Sequence, residues 1–365
     1  MAGLSLNSAS CVRSVSKFSE CNLCDVICPV EAIKVAPESL PAINLFSCIG
    51  CGGCVGVCPT EALKLDHFSA TEFFFEFAAE QGALISCQKN VPCLSVLNVE
   101  HIIALASLKG EIVLDMGHCH DCSITSTCKP QIEKNAHEAN YVLEAMLSRA
   151  KVVMNNVAYD NETIKSERSR RDFFQTFTLK NAGKAKKDFD RNIEMAMDEF
   201  VEHSIHDVNI AKVRQKELPN KRKLLLTALK RAAKPEIYHV VDAHALSFTS
   251  QKLLDESTCT ACQMCYRICP SGALSSDMKN SKIDFDPFLC VRCHLCHDVC
   301  EPDAMTLSTS YNIKEFFEPT AQNLVMFDVR NCHECGLAFS SLKGEKICRR
   351  CQIEEEEAKE LWGIK

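Results

Sequence analysis

The chain has 365 residues, 46% of them hydrophobic, a net charge of −7 and 25 cysteines, which is room for two or three compact domains and far more sulfur than a packed core uses. Secreted chains this rich in cysteine are short and disulfide-stapled, and the opening "MAGLSLNSAS" has neither a basic start nor an apolar run. No stretch reaches the roughly 18 to 20 apolar residues of a membrane span, so a cytoplasmic chain with reduced thiols is expected.

Residues 11–33, "CVRSVSKFSECNLCDVICPVEAI", place Cys21, Cys24 and Cys28 before Pro29, with Phe18 where the spacing C-x2-C-x2-C-x3-C-P requires a first cysteine. The next run is complete, Cys48, Cys51, Cys54 and Cys58 preceding Pro59. After it Phe73, Phe74, Phe75 and Phe77 read as a core-facing segment. "GALISC" (82–87) reads as a strand ending at a cysteine, "VLNVEHIIALASLKG" (96–110) as a helix closed by glycine, and "EIVLDMGHC" (111–119) as a second strand. They predict a small β-α-β (Rossmann-like) domain with Cys87, Cys93, Cys119 and Cys122 just past the carboxyl ends of parallel strands, where open α/β sheets place their sites. Those four thiols suit a 2Fe-2S cluster or a zinc ion, and a metal-free site with redox-active or buried thiols is the alternative. Cys128 is a fifth thiol, and His118 and His120 flank Cys119.

From about 130 to 250 the chain is nearly free of cysteine and reads as helical. Residues 165–234 hold 18 Lys and Arg against 10 Asp and Glu, a local +8 that leaves −15 for the rest of the chain. A solvated helical face accounts for this run, Phe173, Phe174, Phe177 and Phe189 read as packing residues, and nucleic acid is not the expected partner. Two more runs follow: Cys259, Cys262, Cys265 and Cys269 before Pro270, then Cys290, Cys293, Cys296 and Cys300 with the proline delayed to Pro302. The tail pairs Cys332 and Cys335 with Cys348 and Cys351 across twelve residues, the spacing of a zinc ribbon, although a rubredoxin-like iron centre uses the same ligands. An acidic helix, "EEEEAKELWGIK", closes the chain.

Over about residues 11–66 and 259–308 the chain resembles bacterial ferredoxins with two 4Fe-4S clusters, in which three cysteines of one run share a cubane with the fourth cysteine of the other. The resemblance implies one cluster on Cys28, Cys48, Cys51 and Cys54, and two more on Cys259, Cys262, Cys265 with Cys300 and on Cys290, Cys293, Cys296 with Cys269. The first run, as C-x9-C-x2-C-x3-C-P, is similar to ferredoxin-type accessory proteins encoded with formate dehydrogenases, which makes Cys11 the candidate to join Cys21, Cys24 and Cys58. Stretching the inner loop from two residues to nine costs about 1.3 kcal/mol by logarithmic scaling; a three-iron cluster or none is the alternative. The middle segment is similar to the iron-sulfur subunit that links methanogen hydrogenases to heterodisulfide reductase, which implies a 2Fe-2S cluster there.

The expected fold is α+β: two ferredoxin-like dicluster units (1–70 and 251–315), the cysteine-bearing α/β domain (71–150), a helical charged connector (151–250) and a C-terminal zinc ribbon (316–365). The expected function is single-electron transfer through four 4Fe-4S clusters, with a 2Fe-2S site and one zinc, between redox proteins of formate dehydrogenase or hydrogenase type. No GxGxxG, P-loop or G-x-S-x-G motif suggests catalysis. The rivals are a thiol/disulfide redox enzyme using Cys119 and Cys122, and a maturation scaffold that docks an apo-enzyme.

Overall fold

The structure, a computed structural model, describes residues 3–157 and 216–363. Most of the expected helical connector, with Phe173, Phe174, Phe177 and Phe189, lies outside the described residues.

In the N-terminal unit β1 (Leu4–Leu6), β2 (Ile33–Lys34), β3 (Ala42–Ile43) and β4 (Leu63–Leu65) form two antiparallel pairs, β1 with β4 and β2 with β3. Period-two alternation turns Leu4, Leu63, Leu65, Ile33 and Ile43 inward and Ser5, Lys34 and Lys64 to water. The single-turn helices α1 (Val12–Val15), α2 (Leu23–Val26) and α3 (Gly53–Val57) sit between them and present the cysteines.

The next helix, α4 (Ala70–Ala79), is N-capped by Ser69, whose hydroxyl accepts from the Glu72 N–H. It buries Phe73, Phe74 and Phe77 and leaves Phe75 60% exposed, because 100° per residue cannot turn four of these five consecutive positions to one face. A parallel sheet follows: β5 (Leu84–Ile85), β6 (Glu111–Asp115) and β7 (Lys151–Asn155), in that order, joined by α5 (Val99–Lys109) and α6 (Thr125–Ala145). Most of α6 falls in the stretch read from sequence as helical from about residue 130, whereas β7, in that same stretch, is a strand and extends the sheet to Asn155. Helix α5 is capped at Asn98 and stopped at Gly110, and every residue from Val99 to Ala106 is buried. A helix apolar all round needs partners all round; α6 covers one side and α7 (Asn220–Arg231) the other.

Helix α7 buries Leu224, Leu225, Ala228 and Leu229, and also Lys221 and Arg222, so the basic run is not wholly a solvated face. The Arg222 guanidinium donates to the Glu100 carboxylate and to the Phe288 and Phe248 carbonyls, the last at 2.8 Å. Lys221 Nζ donates to the Cys58 carbonyl at 2.6 Å, and the Asn220 N–H to Glu61 Oε2 at 2.5 Å. One turn of α7 thereby ties both cysteine-rich halves to the central sheet.

The C-terminal half opens with β8 (Val240–Asp242), which pairs antiparallel with β13 (Ser310–Asn312). Between them β9 (Lys252–Leu254) pairs with β12 (Met305–Leu307) and β10 (Leu274–Ser275) with β11 (Lys282–Phe285), the same outer and inner pairs as in the N-terminal unit. Strand β14 (Gln322–Met326) joins the free edge of β11, an edge the N-terminal unit leaves without a third strand. Helices α8 (Met264–Arg267) and α9 (Leu295–Asp298) carry cysteines as α2 and α3 do. The tail is the hairpin β15 (Asp328–Asn331) and β16 (Ala338–Ser341), then α10 (Arg349–Trp362). Among the described residues no helix is long and apolar enough to cross a membrane.

Candidate metal centres

The complete runs share a backbone path that spacing alone does not reveal. The second residue after the first cysteine and the residue after the second are left-handed in each: Gly50 and Gly52 (φ 68° and 78°), Ala261 and Gln263 (54° and 66°), Arg292 and His294 (49° and 60°). Such alternation aims successive N–H groups into one concavity, a cradle for an anionic cluster. The fourth cysteines share another turn, with left-handed Glu31, Glu61, Gly272 and Asp303 three residues beyond Cys28, Cys58, Cys269 and Cys300, including the run whose proline is delayed. Left-handed non-glycine residues cost roughly 1 kcal/mol each, and the turns also aim N–H groups at sulfur: Ala32 N to Cys28 Sγ at 3.1 Å, Ala62 N to Cys58 Sγ at 3.2 Å, Leu274 N to Cys269 Sγ at 3.5 Å.

In the first run Asn22 has φ −136°, and neither it nor Glu20 takes the left-handed turn found in the other three. Phe18 is 61% exposed and does not line the cavity that Cys11, Cys21, Cys24 and Cys58 share. Cys11, buried at the start of α1, lines one small cavity with Cys21, Cys24 and Cys58, walled by Leu6, Val12 and Leu63. Arg13 fixes this longer loop. Its buried guanidinium donates to the carbonyls of Ser39 (2.5 Å), Ser19 (2.7 Å), Ala36 (2.8 Å) and Cys21 (3.1 Å), pinning both ends of the nine-residue loop to the β2–β3 connection. Sequence spacing gave no signal for Arg13.

The other cysteines assemble in crossed sets. Burial drives the Cys54 thiol far above the ordinary range, with Cys51, Cys24, Cys48 and Cys28 as its neighbouring thiols, so Cys24 of the adjoining set also lies near it. Cys259, Cys262, Cys265 and Cys300 line one cavity. Cys293, raised by burial, faces Cys269, Cys290 and Cys296, and the Ser250 hydroxyl lies 3.3 Å from Cys290 Sγ. Burial likewise pushes Cys11 and Cys296 up to about 12. A thiol so placed ionises only when a cation offsets its desolvation, which is what metal coordination supplies.

In the α/β unit Asp115 at the end of β6 accepts from the Ser86 hydroxyl (2.8 Å), Gly117 N–H (3.0 Å) and Val157 N–H (3.1 Å), locking three strand ends together. Beyond them Cys87, Cys93, Cys119, Cys122 and Cys128 line a cavity of about 120 Å³, with His118 at its wall. His120 is exposed and pairs with Asp121 at 2.9 Å, outside it. Cys87 and Cys119 are raised by burial to about 12 and 11. The buried Cys128 thiol, on the first turn of α6, neighbours both Cys93 and Cys51 of the N-terminal unit, and its proximity holds Cys93 down to about 6 and Cys51 to about 7. This close approach needs a small residue on α3: a Cβ at Gly56 would lie 2.1 Å from the Ser95 carbonyl oxygen. Sequence reading counted Cys128 without finding this bridge between two sites.

At the tail the sulfurs of Cys332, Cys335, Cys348 and Cys351 all lie within 4.8 Å of one another, Cys335 and Cys348 at 3.8 Å. The Cys335 and Cys348 N–H groups hold Cys332 down to about 6, the latter at 3.2 Å from its sulfur.

These geometries agree with what the chain is similar to. A family model described as a 4Fe-4S dicluster domain matches residues 251–301, and one described as a 4Fe-4S binding domain matches residues 41–64. Over 70 residues the chain is 37% identical to the polyferredoxin protein MvhB of Methanothermobacter thermautotrophicus. That alignment takes in 18% of this chain and spans only 14% of the polyferredoxin. The protein therefore carries iron-sulfur domains of the 4Fe-4S ferredoxin type, one in each half of the chain.

Proposed function

We propose that the protein is a multicluster electron relay. Cys11, Cys21, Cys24 and Cys58 hold one 4Fe-4S cluster; Cys28, Cys48, Cys51 and Cys54 a second; Cys259, Cys262, Cys265 and Cys300 a third; and Cys269, Cys290, Cys293 and Cys296 a fourth. Cys87, Cys93, Cys119 and Cys122 hold a 2Fe-2S cluster, and the tail cysteines a zinc ion. A zinc ion with bonds of about 2.3 Å has tetrahedral edges of about 3.8 Å, which matches the Cys335–Cys348 separation. The observation that carries the reading is the crossing of cysteines between runs, together with the Cys51–Cys128–Cys93 contact that sets two sites side by side.

When bound, each cluster accepts and releases one electron. The chain's own residues fix which sulfurs reach each site, bury them in low dielectric and aim N–H donors at them, the levers that set potential. The same reading makes the protein cytoplasmic and its partners redox enzymes, of formate dehydrogenase or hydrogenase type.

Anaerobic iron, sulfide and zinc per chain, with low-temperature EPR of the dithionite-reduced protein, tests this. About 18 iron and one zinc are expected, from four cubanes and one two-iron cluster. Sixteen iron or so would remove the 2Fe-2S assignment. A three-iron signal in the oxidised protein would remove Cys11 as a ligand, and about eight iron with several zincs would sink the relay itself.

A further inference from the structure

A cleft of about 380 Å³ opens between the Cys259–Gln263 loop and the tail hairpin. Its walls are joined by hydrogen bonds: Gln263 Nε2 donates to Ser340 Oγ (2.5 Å), Ser340 Oγ to the Asn280 carbonyl (2.6 Å), and Lys343 Nζ to the Ser257 carbonyl (2.6 Å). The cleft is thus a built feature of the fold, and its volume lies in the range of small-molecule sites rather than macromolecular faces.

Its lining is basic in a chain of net charge −7. Arg267 and Lys279 from the dicluster unit face Lys343 and Arg349 from the tail, and Lys279 and Arg349 have no ion-pair partner among the described residues. The one acidic side chain there, Glu345, is occupied by the Ser341 hydroxyl (2.6 Å) and the Lys343 N–H (3.0 Å). Phe339 and Ile347 add an apolar wall. Cys259 and Cys262 also border the cleft, and Cys262 alone among the 25 cysteines is exposed.

We propose that this cleft binds an anionic aromatic ligand of mononucleotide size, its phosphate held by Lys279 and Arg349 and its ring against Phe339. Cations on both walls and an apolar side are the combination that a nucleoside monophosphate or flavin mononucleotide presents in reverse. A bound ligand lies against the Cys259–Cys262 loop, so that a small molecule as well as a protein can meet the relay there. This second part rests on those cysteines being cluster ligands, whereas binding itself does not.

Flavin mononucleotide titrated into the full, reconstituted chain at low salt should saturate with a dissociation constant on the order of 10 μM. Lys279→Glu, and separately Arg349→Gln, should weaken it at least about tenfold with iron and zinc contents unchanged, while Lys17→Glu, remote from the cleft, leaves it unaltered. AMP should displace the flavin, since the phosphate is the shared anchor. Flavin should also shift the EPR signal of the cluster on Cys259 and Cys262. No saturation up to about 1 mM, equal binding by the cleft variants, or failure of AMP to compete would overturn the site. Binding without an EPR shift would keep the site and refute its adjacency to a cluster.

Discussion

Arg13 makes the first cysteine run workable. A two-residue loop holds its cysteines in place by covalent geometry, whereas a nine-residue loop needs an external anchor, and the anchor is one guanidinium reaching four carbonyls. Hydrogen bonds from a charged donor are worth about 1.5–3 kcal/mol each, less for those that water can replace. Arg13→Met keeps the aliphatic stem and removes the donors. It should destabilise the apoprotein by on the order of 3 kcal/mol in urea unfolding and lower iron in the reconstituted chain by about one cubane. An unchanged denaturation midpoint with full iron would show that the loop needs no anchor. The run's incompleteness and the candidacy of Cys11 were legible in sequence, because both are matters of spacing. Arg13 was not, since nothing in a primary sequence distinguishes an arginine that will bury itself among carbonyls from one that will face water.

At the scale of elements the same distinction recurs in α7. Leucine spacing in "KRKLLLTALKR" announces an amphipathic helix, but Lys221 and Arg222 sit on its buried side, where charge density argued for solvent. The reason is Glu100, 1% exposed at the start of α5, which would be an uncompensated buried carboxylate without them. Arg222→Met should cost about 3–5 kcal/mol, the usual penalty for breaking a buried pair from one side. The double variant Arg222→Met with Glu100→Gln should cost less than Arg222→Met alone, because the stranded charge is gone. Urea unfolding of the two variants gives the comparison; a double variant worse than the single one would mean that Arg222 acts through the Phe248 and Phe288 carbonyls alone. Strands β5 and β6 were readable as short apolar runs, and α5, although buried on all sides, from its helical spacing and closing glycine. Strand β7 was not, because "KVVMN" follows a long helix of mixed polarity and offers too short a run to distinguish strand from helix.

Across the whole molecule the cysteine sets could form separate islands, each insulated by its own protein shell, and the packing of α3 against the α/β unit prevents this at one point. There a single thiol, Cys128, neighbours a sulfur of each of two sites, Cys51 from the N-terminal unit and Cys93 from the central sheet, and its one S–H can serve either. A hydrogen bond to a ligating sulfur stabilises the more negative, reduced state and raises the potential. One proton within reach of two sulfurs therefore links two potentials, since the donor that serves one site is withdrawn from the other, which independent modules would not do. Cys128→Ala should lower both the 4Fe-4S potential at Cys51 and the potential of the site at Cys93, together by up to about 40 mV, the one-electron equivalent of a net hydrogen bond near 1 kcal/mol. Cys128→Ser retains a donor and should restore most of both. Redox titration followed by EPR reads the two signals separately: a shift at one site with none at the other would make Cys128 an ordinary neighbour of that site, and iron lost from the middle site in both variants would make it a ligand instead.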